Sequence, residues 1–202
     1  MNNCFYIYGL RRSGNHAIIN WLKSMMENPL FLNDIGPNRS LYTLNRIPEE
    51  SPYVDFIASY EDVDPSEIRK ISNSNWVFKL HSSRYRNIVI LRDFKNWAAS
   101  FYTFLKQWNP NPDIKNAVAM WHKYSAYAAD SHLNDSFLIE YSKWVDDEDY
   151  RKCLADELGL DYNDSTLMEN TEMGSSFGKG YTPGFNNRWD MVKDDPLFTE
   201  QL

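Results

Sequence analysis

At 202 residues the chain is long enough to bury one sizeable core, and any second domain would be small. Its 43% hydrophobic and 15% aromatic content excludes a disordered chain, and a formal net charge of −7 excludes wide contact with nucleic acid. No apolar run approaches the ~20 residues of a membrane span and the first residues lack a signal-peptide profile, so one soluble, cytoplasmic domain over 1–202 is expected.

In chain order, the apolar run 4–8 reads as a strand. It is followed by a loop bounded by Gly9 and Gly14, then a helix over 14–27 carrying Ile18, Ile19, Leu22 and Met26 at helical spacing. Asn28-Pro29 stops that helix. Residues 29–52 hold Gly36-Pro37, Pro48 and Pro52 and read as loop with at most a short strand. Residues 53–60 read as a strand, and Asp64-Pro65-Ser66-Glu67 as a helix start with Pro early in the helix.

Trp76–Leu80 and Asn87–Leu91 read as buried strands, Asn96–Gln107 and Ile114–Ser131 as helices, Phe137–Tyr141 as a short strand, and Glu148–Leu158 as a helix ended by Gly159. The aromatic residues Trp97, Tyr102, Trp108, Trp121 and Trp144 are assigned to packing. Residues after 163 show little periodicity and read as a functional loop or a disordered tail. Strands alternating with helices imply an α/β fold with a mostly parallel central sheet flanked by helices. Cys4 and Cys153 make neither a metal pattern nor a disulfide framework and read as free, buried thiols.

Chemistry concentrates in three segments. A strand, a Gly-bounded loop and a helix N-terminus present backbone N–H groups to a phosphate, here at Ser13, Gly14, Asn15 and His16, with Arg12 adding charge. The glycine spacing is that of a Walker A loop, but Asn15-His16 stand where its Lys-Ser/Thr pair belongs. Arg92 follows an apolar strand and Ser100 comes two helical turns later, a spacing that sets both around one anion. Lys79 and His81 lie two apart at a strand end, where open α/β sheets bind ligands, and histidine suits proton transfer near neutrality. Arg11, Arg12, Lys79, Arg84, Arg86, Arg92 and Lys95 gather around these segments, while acids dominate 146–172 and 190–200; this suits an anion pocket on an acidic body.

Together these segments resemble the sulfotransferase family, whose members move a sulfuryl group from 3′-phosphoadenosine 5′-phosphosulfate (PAPS) and leave adenosine 3′,5′-bisphosphate (PAP). The family's phosphosulfate loop, Lys/Arg-Ser-Gly-Thr-Thr, is matched by Arg12-Ser13-Gly14-Asn15-His16. Its 3′-phosphate motif is matched by Arg92, Lys95 and Ser100, its Lys-Thr-His by Lys79-Leu80-His81, its adenine-side tyrosine by Tyr141, and its late closing element by Phe177-Gly178-Lys179-Gly180. The resemblance runs in the family's order over roughly 5–190.

It implies a three-layer P-loop-like fold, PAPS as donor with no metal, and a small-molecule or carbohydrate acceptor. It also implies that His81 is the base, that Arg12 and Lys79 stabilise the transferring group, and that Arg11 stands with the donor-binding residues. His16 and Glu61 are the other candidate bases. Phe31, Tyr42, Tyr53, Trp108 and Phe185 are candidates for the acceptor pocket. A P-loop nucleotide kinase or NTPase, and a catalytically silent nucleotide-binding protein, are the alternatives. The departures from the family pattern are Asn15-His16 in place of two threonines, and Gly178 in place of the closing arginine.

Overall fold

The computed structural model describes residues 3–36, 55–74, 84–130, 136–165 and 188–202. Five parallel strands form one sheet in the order β2-β3-β1-β4-β5: β1 (Asn3–Gly9), β2 (Leu30–Leu32), β3 (Phe56–Glu61), β4 (Arg84–Leu91) and β5 (Ser136–Glu140). The central strand β1 is buried along its whole length, with Tyr8 level with Tyr60 on β3 and Val89 on β4. A parallel sheet buried on both faces needs apolar residues at every position, which is why 4–8 reads as an unbroken apolar run.

Period-2 alternation divides those residues between two cores. Cys4, Tyr6 and Tyr8 face one layer, with Phe56, Tyr60 and Val89. This layer contains helices α2 (Pro65–Ser74), α3 (Phe94–Lys106) and α4 (Lys115–Ala129). Phe5 and Ile7 face the other, with Ile57, Ile88, Ile90 and Ile139. There α1 (Asn15–Ser24), α5 (Tyr141–Asp146) and α6 (Glu148–Leu158) contribute Ile18, Trp21, Leu22, Trp144, Leu154 and Leu158. The observed architecture is thus the three-layer α/β arrangement expected.

Several elements differ from the expectation. Helix α1 stops at Ser24, with Met25 as its C-cap, before Asn28-Pro29 acts. Strand β5 ends at Glu140, and Tyr141 opens the short helix α5, which six residues of periodicity are too few to announce. Residues 188–202 are neither loop nor loose tail. They form a 3₁₀ turn (Trp189–Met191) and a short helix α7 (Pro196–Thr199), held by contacts distant in sequence. Cys4 is buried as expected, whereas Cys153 is exposed because it lies on the outer face of α6. Trp97, Tyr102 and Trp144 are core residues, but Trp108, just past α3, is 81% exposed. The expected strand Trp76–Leu80 lies outside the described residues.

Candidate anion-binding site

Strands β1 and β4 are neighbours, yet the chain leaves them toward opposite layers: α1 packs on one face and α3 on the other. The loops after the two strands therefore diverge at the carboxyl end of the sheet, the place where open α/β folds bind ligands.

The first loop is a turn in which the Ser13 N–H donates to Leu10 O at 3.0 Å and Arg12 stands at φ 73°. A non-glycine residue at positive φ is costly, and such strain persists where surrounding structure enforces it. Two bonds do so here: the Trp97 Nε1–H donates to Arg11 O at 3.1 Å, and Arg92 Nη1 donates to Arg12 O at 3.3 Å. Gly14 follows at φ 93° as the N-cap of α1, whose first turn no side chain caps. A Cβ on Gly14 would lie 2.1 Å from the Tyr141 ring, so the close approach needs glycine twice over. Ser13 is not the cap: its Oγ is buried and has no hydrogen-bond partner.

Asn15 sits in the first helical turn but its side chain turns back. Its Nδ2 donates to Glu61 Oε1 at 2.9 Å and to Leu10 O at 3.2 Å, and its Oδ1 would lie 2.3 Å from a Cβ on Gly9. Asn15 thus braces the loop from behind, and Gly9 makes the room. Glu61, the outside candidate for a base, is engaged by Asn15 and faces Arg11 Nε at 3.5 Å. Arg11 is drawn to an acidic group, with Asp62 at 3.6 Å and Asp34 at 3.7 Å, away from its neighbour Arg12. Burial raises the Asp62 carboxyl above its usual range. His16 is half-buried in the first turn of α1.

The second loop delivers Arg92, 4% exposed, directly after β4. Its carbonyl accepts from Trp121 Nε1 at 3.0 Å, and its guanidinium lies over the Tyr141 ring at 5.1 Å. Asp93 caps α3, accepting from Asn96 N at 3.0 Å, so its carboxylate is spent on the helix and on Ser142. Arg92 Nε is buried without a partner.

Ser100, fully buried on α3, is the meeting point. Arg12 Nε approaches its Oγ at 3.5 Å and Arg188 Nη1 donates to it at 2.7 Å. Arg12 also lies over Phe104 at 5.3 Å. Burial lowers the pKa of all three arginines, and repulsion adds to this for two of them: Arg92 acts on Arg12, and Arg92 and Arg12 act on Arg188, which is brought down to about 10. Three partly or wholly desolvated guanidiniums gathered near one serine are a setting in which an anion gains strongly charge-assisted hydrogen bonds. The orphaned Ser13 Oγ and Arg92 Nε add two unused donors, so the donor set fits a phosphate- or sulfate-bearing ligand.

The structure thus brings together Arg12, Ser13, Gly14, Arg92, Ser100 and Tyr141, and turns Arg11 and the Asn15 side chain aside. Lys79, His81, Phe177, Lys179 and Gly180 lie outside the described residues, as do Tyr42, Tyr53 and Phe185. Lys95 is placed over the Trp189 ring at 5.5 Å. Sequence reasoning missed Arg188. Its one signal was a lone arginine beside a tryptophan at the start of an acidic stretch.

No protein-family model matches the sequence, and no curated protein sequence matches it. Solved structures do. Mouse sulfotransferase SULT7A1 complexed with PAP superimposes with a TM-score of 0.58 at 15% identity, covering 98% of this chain and 84% of that one. The sulfotransferase domain of the Synechococcus PCC 7002 olefin synthase gives a TM-score of 0.57 at 15% identity, covering 99% and 93%. The chain has the sulfotransferase fold.

Proposed function

We propose that this protein is a PAPS-dependent sulfotransferase, acting in the cytoplasm on a hydroxyl or amine of a small-molecule or carbohydrate acceptor. The observation that carries the reading is the buried arginine group around Ser100, set beside an uncapped helix N-terminus. PAPS carries two anionic ends, and the fold neighbour SULT7A1 was solved with PAP.

Within this reading PAPS supplies an activated sulfuryl group on a phosphate leaving group. The α1 first-turn amides, Ser13 and Arg12 hold the phosphosulfate end. Arg92 and Ser100 hold the 3′-phosphate, and Tyr141 packs on the adenine side. His81 takes the proton from the acceptor oxygen as that oxygen bonds to sulfur and the sulfur–oxygen bond to the phosphate breaks. Lys79 and Arg12 stabilise the charge that builds on the leaving phosphate. The resemblance adds Phe177, Lys179 and Gly180 to the donor-binding residues of this reading.

Loss of a well-aimed donor in comparable sites costs about 3–4 kcal/mol, so Arg12→Ala is expected to lower turnover at least a hundredfold in a PAP-release assay with a working acceptor. The test of the donor is PAP against ADP by calorimetry and thermal shift. Ligand at a hundredfold excess over its Kd stabilises by about 2.7 kcal/mol, a rise of several degrees for a chain of this size. PAP is expected to produce that rise and ADP a smaller one. Preference for ADP with magnesium, with ATP turnover, would transfer the assignment to a nucleotide kinase or NTPase. Tight PAP binding with no sulfated product from a broad acceptor panel would make the protein a silent nucleotide binder.

A further inference from the structure

We propose that Asp34, Glu61 and Asp62 form a recognition site for an ammonium group, so that the acceptor in the function proposed above is an amine-bearing molecule. Naming the acceptor rests on that function; the ammonium site rests on the geometry alone.

The three carboxylates come from two loops that the sheet sets side by side. Asp34 follows β2, and its N–H donates to Ser59 Oγ on β3 at 2.9 Å. Glu61 ends β3 level with Gly9 of β1, and the Asp62 N–H donates to Gly9 O at 3.1 Å. All three reach one side chain, that of Arg11: Glu61 at 3.5 Å, Asp62 at 3.6 Å and Asp34 at 3.7 Å. Hydrogen-bonded pairs of a nitrogen cation and a carboxylate are closer, about 2.7–2.9 Å. Arg11 therefore stands among the acids without saturating them. The Asp62 carboxyl registers the shortfall: burial, joined by the charges of Glu61 and Asp34, raises it despite Arg11. A group already gathered around one nitrogen cation, and still short of positive charge, suits a second.

Two buried polar atoms point the same way. Tyr124 on α4 is fully buried, and its Oη has no hydrogen-bond partner among the described residues. Burial raises its phenol and the charges of Asp62, Asp64 and Glu61 raise it further, so the hydroxyl lies in the field of these carboxylates. Asp64 is taken by Lys123, which leaves Asp62 and Glu61. Asn15 Oδ1 is likewise buried without a partner, on the amide whose Nδ2 binds Glu61. Oxygens with unused lone pairs beside carboxylates are further acceptors for an N–H donor.

Position assigns this cation to the second reactant. Arg11 and Arg12 are consecutive, yet Arg12 turns to Ser100 while Arg11 turns to the acids. The charge of Glu61 is felt at Arg12, so the two sites adjoin. An anionic donor is drawn to the arginines and repelled by the acids, and an ammonium group the reverse. Each reactant is thereby sorted to its own side.

The test uses the whole chain saturated with PAP, and calorimetry with probes matched except for the amine: tyramine against 4-propylphenol, and glucosamine against glucose. Each amine is expected to bind about tenfold or more tightly than its neutral partner, the worth of a hydrogen bond between charged groups. That margin should shrink as salt rises from about 50 mM to about 500 mM. Asparagine tolerates the positive φ at Asp34 and Asp62, so the double variant Asp34→Asn, Asp62→Asn keeps the backbone. It should bring tyramine to within about twofold of 4-propylphenol. Tyr124→Phe should weaken tyramine binding without lowering the melting temperature, where a purely structural hydroxyl would do the reverse. Arg11→Gln frees the carboxylates and should strengthen tyramine binding, a gain that an unfolded variant cannot give. No amine margin in the wild type, or a margin that the double variant leaves intact, overturns the proposal.

If the wild type does not bind PAP, the donor assignment fails, and the same probe pairs without PAP decide the ammonium site alone. An amine margin that the double variant erases upholds the site, and no margin overturns it.

Discussion

Arg92 shows why a residue's place in the fold and its chemical duty pull in opposite directions. Its guanidinium is buried and has an unused donor, so desolvation alone makes it costly to carry. Replacing buried charge by an apolar side chain of similar volume is often stabilising by about 1 kcal/mol or more. Arg92→Met is therefore expected to raise the ligand-free melting temperature by a few degrees while abolishing the rise produced by PAP, both read in one thermal-shift series. Gly14 makes the complementary point. Alanine there meets a positive φ and the Tyr141 ring, which Arg92 covers and Trp144 stacks against, leaving it little room to yield. Gly14→Ala should cost more than about 1 kcal/mol in urea unfolding and weaken PAP binding as Tyr141 is displaced. The need for glycine at this position was not legible in the sequence beyond a loop signal, because the clash is with a residue 127 positions away.

At the level of elements, helices meet the sheet through caps and side-chain ties whose strength depends on exposure. Asp64 accepts from Ser66 N at 3.0 Å at the start of α2 and pairs with Lys123 on α4. The Lys123 ammonium, with Ser66, holds the Asp64 carboxyl down to about 2. A carboxylate whose folded pKa is depressed stabilises the fold above its unfolded pKa, near 4, and loses that contribution as pH falls through the folded value. Asp64→Asn should thus lower stability by less than about 1 kcal/mol at neutral pH, since the pair is partly exposed. The difference from wild type should shrink between about pH 4 and pH 2, as denaturation midpoints across that range would show. The helix α6 was legible to its last residue, because Asp147 caps it and Gly159 ends it in the left-handed conformation. The short α5 and the C-terminal elements were not legible, because their apolar residues are too few to show a period and gain their order from packing on other parts of the chain.

Considered as a whole, the molecule closes its core with its last residues. Phe198 is fully buried between Tyr102 and Trp189, so Phe198→Ala should cost about 3–5 kcal/mol in urea unfolding, the loss expected of an aromatic core residue and not of a tail. No helix among the described residues is long and apolar enough to cross a membrane, which is consistent with the apolar residues being spent on two layers around one sheet. The sequence by itself determined the α/β class, the buried central strand, the Gly-bounded loop and the spacing of Arg92 and Ser100. These depend on local periodicity and on backbone preferences that a few residues carry. Only the tertiary structure decided which cations share the site. Arg11 and Arg12 are adjacent, yet a turn at positive φ sends one to three acids and the other to Ser100. Arg188 reaches Ser100 from 88 residues away. Charge is read from composition, but which charges are buried together is set by which strands neighbour one another and where the chain crosses between layers.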